Sequence, residues 1–154
     1  MKRMFPSMLM AAAALAGLAT ALPAAAQFAK PEDAIKYRKA NMTLMSTHFG
    51  RVAAMANGKI PFDAKAAADN AELAAAVTKW QFTGFVEGSD KGDTKADPKI
   101  WAEKDKFTAA GATLQEAVTK LNVAAKGGNL DAIKAAVGET GKACKGCHDT
   151  YRKE

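Results

Sequence analysis

Near the end of this 154-residue chain stand Cys144-Lys145-Gly146-Cys147-His148. On a helix the two thiols form an i, i+3 pair, and Cys144 and His148 an i, i+4 pair, so all three side chains share one face. Two thiols at this spacing with an imidazole directly behind them make the pattern that attaches haem c. Each sulfur bonds a vinyl group of the porphyrin, and the imidazole reaches its iron. Cys144 and Cys147 are therefore the expected covalent attachment points for one haem c, and His148 the expected axial ligand. Three other uses of a Cys-x-x-Cys pair compete. A zinc site needs four ligands, and His48 is the one strong donor left among two Cys and two His. A thioredoxin-like redox pair belongs in a βαβ context, which this sequence does not offer. A structural disulfide suits an exported protein and stays open as the competing reading.

The elements that must position this motif begin after a leader. Lys2 and Arg3, an apolar run from Met8 to Leu22 and the small residues Ala24-Ala25-Ala26 read as a cleaved secretory signal over residues 1–26. The run is short for a membrane anchor and no second one follows, so no membrane span is expected after cleavage. Residues 27–154 are then one exported domain, expected in a periplasm. The formal charge of +6 falls to about +4 once Lys2 and Arg3 are removed. The lysines are spread along the chain, without an aromatic-interleaved cluster, so nucleic acid is not an expected partner.

The Ala- and Lys-rich composition favours helix, and Gly and Pro punctuation divides the domain into four helical segments. The first opens at Pro31-Glu32-Asp33, carries an inward stripe of Ile35, Arg38, Met42, Met45, Phe49, Val52 and Ala56, and stops at Asn57-Gly58. The second follows Asp63, a candidate cap, with the expected stripe Ala66, Asn70, Leu73, Val77 and Trp80. A loop from Gly84 to Asp97 lacks periodicity. The third starts at Asp97-Pro98 and runs through Ile100, Phe107, Gly111, Leu114, Val118, Leu121 and Ala125 to Gly127-Gly128. Asn129 caps the fourth, whose stripe Leu130, Ile133, Val137, Thr140 continues into Cys144, Cys147 and Tyr151. The cofactor is thereby expected inside the bundle. Four amphipathic helices with short connections and one longer loop predict an all-α, antiparallel, up-down-up-down four-helix bundle.

With the motif placed at the carboxyl end, the chain resembles the cytochrome c′ family, the class II c-type cytochromes. The resemblance covers the whole of residues 27–154. It rests on Gln27-Phe28-Ala29-Lys30-Pro31-Glu32-Asp33-Ala34, on Tyr37-Arg38, on His48-Phe49-Gly50-Arg51, and on Cys144 to Lys153. It implies a left-handed bundle, a homodimer formed through the first two helices, and a five-coordinate, high-spin haem whose distal face is open to nitric oxide and carbon monoxide. It also implies electron transfer, with a redox partner protein.

Arg38 takes an inward position, where a charge is costly unless paired. A haem propionate suits its planar guanidinium; the alternative is that it snorkels out at the bundle end. The family pattern supports the propionate. Family relatives often carry Gln at the next position; Lys39 stands there instead and is carried over as a haem-edge contact. Asp93 matches a family loop residue near the haem. Arg152, four residues beyond His148, matches an arginine placed beside the axial imidazole; a surface arginine at a helix end is the alternative. Met42 falls where the family places its distal residue and is read as covering the iron without binding it. The alternative is a six-coordinate, low-spin electron carrier with Met42 as sixth ligand. Met45 and Met55 read as core filling. His48 lies about 9 Å along the helix from Met42 and is not expected to ligate. Trp80, Phe82, Phe85, Trp101 and Phe107 read as core or crevice walls. Peroxide chemistry needs a distal acid–base pair, which the first helix does not place beside Met42, so no enzymatic activity is expected. An apolar distal face favours nitric oxide and carbon monoxide over dioxygen, which needs polar stabilisation when bound.

Overall fold

The computed structural model describes residues 27–154; the expected leader, residues 1–26, lies outside the described residues. Five helices follow in order: α1 Pro31–Ala56, α2 Ala64–Thr78, α3 Lys99–Ala102, α4 Lys104–Lys126 and α5 Leu130–Tyr151, with a 3₁₀ turn at Gln81–Gly84. The four long ones form the expected bundle. α1 packs on α2, α2 on α4 and α4 on α5, and α5 closes back on α1. Three of the starts have a local cause. Pro31 opens α1 with Glu32 and Asp33 in its first turn. The Asp63 carboxylate accepts from the Ala66 amide at 2.9 Å, and Asn129 Oδ1 accepts from the amides of Asp131 and Ala132 at 3.0 Å.

The structure changes two expectations. On α2 the buried face is Ala67, Ala71, Ala74 and Thr78, one position round from the expected stripe. α2 is pressed between α1 and α4, and alanine faces let helices approach closely where Leu and Trp would not fit. Leu73 is instead 51% exposed and Trp80 58% exposed, so Trp80 is neither core nor crevice wall. The third helix is broken: Glu103, at φ −122° and ψ 47°, separates the single turn α3 from α4. The break lets α3 follow the preceding loop, to which Trp101 Nε1 donates at the Val86 carbonyl, 3.0 Å away.

The core runs in three blocks along the bundle. Val52, Met55, Ala71, Leu121, Ile133 and Val137 fill the end furthest from the cysteines. Met45, Ala74, Leu114 and Val118 fill the middle. Ala96, Ile100, Phe107 and Tyr151 fill the end where α5 finishes. Met45 and Met55 are each 5% exposed and serve as core filling, as expected.

Candidate functional site

The two thiols enter the core at the junction of its last two blocks. Cys144 lies against the middle block beside Met42, Phe49 and Phe82. Cys147 lies against the terminal block beside Phe82, Phe85 and Trp101. The Phe82 ring belongs to both neighbourhoods, and Gly111 on α4 makes room for it: a Cβ there would meet Phe82 Cζ at 3.0 Å. Both cysteines are free and partly buried. Burial pushes both thiols above their ordinary 9.0, and the neighbouring Cys144 adds to the effect at Cys147. They are therefore neutral thiols at pH 7.

His148 stands at the margin of that face. It follows Cys147 by about 100° of helical rotation, which brings it to the exposed side of α5. Its imidazole titrates below the ordinary 6.5, first through partial desolvation and then through the Arg152 guanidinium, with Asp149 opposing. A depressed value leaves the ring neutral near pH 7, with a lone pair free for a metal. Arg152 thus acts on the imidazole electrostatically, and its amide donates to the His148 carbonyl at 3.1 Å.

Arg38 is 3% exposed, so it does not snorkel. Its charge is met by the loop between the 3₁₀ turn and α3. Nη1 donates to the Gly84 carbonyl at 2.8 Å and to Ser89 Oγ at 2.7 Å. Nη2 donates to the Ser89 carbonyl at 2.6 Å and to Thr94 Oγ1 at 2.7 Å. The guanidinium also lies 4.7 Å from the Phe85 ring centre and 5.7 Å from that of Trp101, within cation–π range. Four of its five N–H donors are thus directed at protein acceptors, a partner set the sequence reading, which looked to a propionate, did not foresee. Burial lowers its pKa, and Asp90 partly offsets this. Gly84 sits so close to α1 that a Cβ would meet Ala34 O and Arg38 Cβ at 2.9 Å each.

The remaining expected site residues divide into two groups. Lys39 and Asp93 meet each other: Lys39 Nζ is 2.6 Å from Asp93 Oδ2 at an exposed edge, and this hydrogen bond holds the Asp93 carboxyl below its usual range. Met42 is partly buried, against the same block as Cys144. His48 is engaged elsewhere, with Nδ1 2.8 Å from Asn70 Oδ1. Because Asn70 Nδ2 donates to the Ala66 carbonyl at 2.7 Å, its oxygen faces His48, and Nδ1 carries the proton. Sequence reasoning passed over Gln81, whose side chain is fully buried with neither Nε2 nor Oε1 bonded to protein. It also missed Ser89 and Thr94, because polar residues in a loop carry no periodic signal.

This donor set fits a covalently held haem. Two free, neutral thiols face the interior three residues apart. A neutral imidazole follows, and the side chains around the thiols are apolar and partly exposed, namely Met42, Phe82, Phe85 and Trp101. Among the described residues, no three His, Cys, Asp or Glu side chains converge as a metal site.

Comparison with known proteins agrees. A family model described as Cytochrome C′ matches residues 33–152. Cytochrome c′ of Rubrivivax gelatinosus is 53% identical over 129 residues, covering 83% of this chain and 100% of the relative. Its crystal structure superposes with a TM-score of 0.80, over 82% of this chain and 100% of that one. A nitric oxide complex of a point variant of cytochrome c′ from Alcaligenes xylosoxidans is 40% identical, with a TM-score of 0.78 over 83% of this chain and 100% of that one.

Proposed function

The chain belongs to the cytochrome c′ family and carries haem c, and on that premise we propose that it binds nitric oxide and carbon monoxide at an open, apolar distal face. Bound haem supplies an iron that takes diatomic gases and exchanges single electrons. Cys144 and Cys147 would anchor the group, and His148 would offer its neutral imidazole to the iron, under the influence of Arg152. The observation that carries the reading is the block that Cys144 packs against: Met45, Ala74, Leu114 and Val118 form it, and Met42, Phe49, Ala75, Val77, Phe82 and Ala143 pack against it with Cys144, side chains that donate no hydrogen bond. Apolar groups of this kind favour nitric oxide and carbon monoxide over dioxygen, which needs polar stabilisation when bound. The structure of a relative's nitric oxide complex supports extending gas binding to this chain. Adding each gas to the reduced protein tests the proposal; an absorption shift with both is expected, and indifference to both would reject it.

Electron transfer is the companion role. A groove of about 450 Å³ between α4 and α5, reaching Ala143, Gly146 and Cys147, opens the neighbourhood of the second thiol to solvent, which suits exchange with a redox partner protein. A six-coordinate carrier with Met42 as ligand is the second reading; it draws on Met42 being partly exposed against the block that Cys144 also packs on, whereas Met45 and Met55 are core. The protein acts in the periplasm after loss of residues 1–26, as a binding and redox protein without enzymatic activity. It acts as a homodimer through α1 and α2, which expose Leu44 at 49% and Leu73 at 51%. Apolar exposure of this kind marks association surfaces.

A further inference from the structure

Arg38 on α1 and His148 on α5 belong to different helices, yet a run of hydrogen bonds, linked by short stretches of backbone, connects them. Arg38 Nη2 donates to Thr94 Oγ1 at 2.7 Å. The same oxygen accepts from the Ala96 amide at 3.0 Å, which occupies both of its lone pairs. Ala96 forms an isolated antiparallel bridge with Arg152, flanked by Asp97 N to Tyr151 O at 2.9 Å and Lys153 N to Lys95 O at 2.8 Å. The Arg152 amide in turn donates to the His148 carbonyl at 3.1 Å.

We propose that Arg38 is a positioning residue for His148, acting through Thr94 and the Ala96–Arg152 bridge to fix the last turn of α5. The proposal rests on the reading of His148 as the axial ligand. The physical argument lies in the buried charge. A guanidinium with 3% exposure cannot release its loop acceptors without stranding a charge in the core, so the loop is held rigidly to α1. The loop in turn holds the end of α5, which would otherwise be a fraying terminus. Because Met42 sits one turn beyond Arg38 on the same helix, α1 becomes the common reference for both sides of the haem. A second, apolar route from Arg38 to α5 runs in parallel through Phe85, Phe107 and Tyr151, with ring separations of 4.8 and 5.3 Å. The polar route can therefore be cut without dismantling the packing.

The test uses the reduced, haem-loaded protein and the variants Thr94→Val and Arg38→Met. Two quantities are read: the iron–imidazole stretching band by resonance Raman, and hydrogen exchange at the Asp97 and Lys153 amides. Thr94→Val is expected to speed exchange at both amides by about tenfold or more and to shift or broaden the band, with Arg38→Met acting in the same direction. An unchanged band in Thr94→Val overturns the proposal, whether or not exchange accelerates. A band that moves in Arg38→Met alone assigns Arg38 a direct effect on the haem and equally overturns the relay. If Arg38→Met fails to fold, Thr94→Val decides alone. A wild-type protein with no such band would remove the axial role of His148 itself, and the relay with it.

Discussion

Met42 on α1 and Cys144 on α5 pack against one apolar block, formed by Met45, Ala74, Leu114 and Val118. The residue expected over the distal face thereby shares a packing block with one of the expected attachment residues. If Met42 only walls the pocket, Met42→Ala leaves the spin state of the reduced protein unchanged. Relief of a steric cost of about 1–3 kcal/mol then strengthens carbon monoxide binding by roughly tenfold to a hundredfold. Conversion from a low-spin to a high-spin spectrum in this variant would show that Met42 ligates.

Arg152 is expected to set the acid limit of the bond between His148 and the iron. Proton and metal compete for one lone pair on His148, and the imidazole sits below its ordinary 6.5, in part because of Arg152. Stability that depends on the neutral ring is present above the unfolded value and is lost as pH falls through the lowered one. Arg152→Gln lets the value rise, so acid release of the axial bond occurs at higher pH, while Arg152→Lys stays near wild type. Spectrophotometric acid titration measures the midpoint; a downward shift in Arg152→Gln contradicts the assignment.

Gly84 is where the 3₁₀ turn touches α1. A methyl group there meets backbone and a Cβ rather than a flexible side-chain end, and it pushes away the carbonyl that accepts from Arg38. Gly84→Ala is expected to cost about 1–3 kcal/mol, read as a lower denaturation midpoint with an unchanged slope. A neutral result would mean that the turn shifts freely.

The exposed apolar side chains of α1 and α2 predict self-association. Leu44→Lys combined with Leu73→Lys is expected to give a monomer by sedimentation at concentrations where the unmodified protein is dimeric. An unmodified protein that sediments as a monomer throughout the micromolar range would remove the dimer from the account.

The bundle and its attachment motif were legible because both are written locally. Three of the four stripes match the buried faces, and Asp63 and Asn129 cap as read. α2 escaped because its core face is nearly all alanine, and periodicity weighted by size follows Leu73 and Trp80 to the wrong side. Hydropathy holds no sign of the break at Glu103, since Ile100 and Phe107 are buried on either side of it. Arg38 was identified as an inward charge in need of a partner. Ser89 and Thr94 could not be named as partners, because that pairing spans more than fifty residues and depends on a loop whose course only tertiary packing determines.

The central claim is a haem with His148 on one side and no protein ligand on the other. The absorption spectrum of the reduced protein, recorded before any gas is added, tests it most directly. The account predicts the broad, single-featured visible band of high-spin ferrous haem, whereas sharp, split low-spin bands would mean that a second side chain occupies the iron.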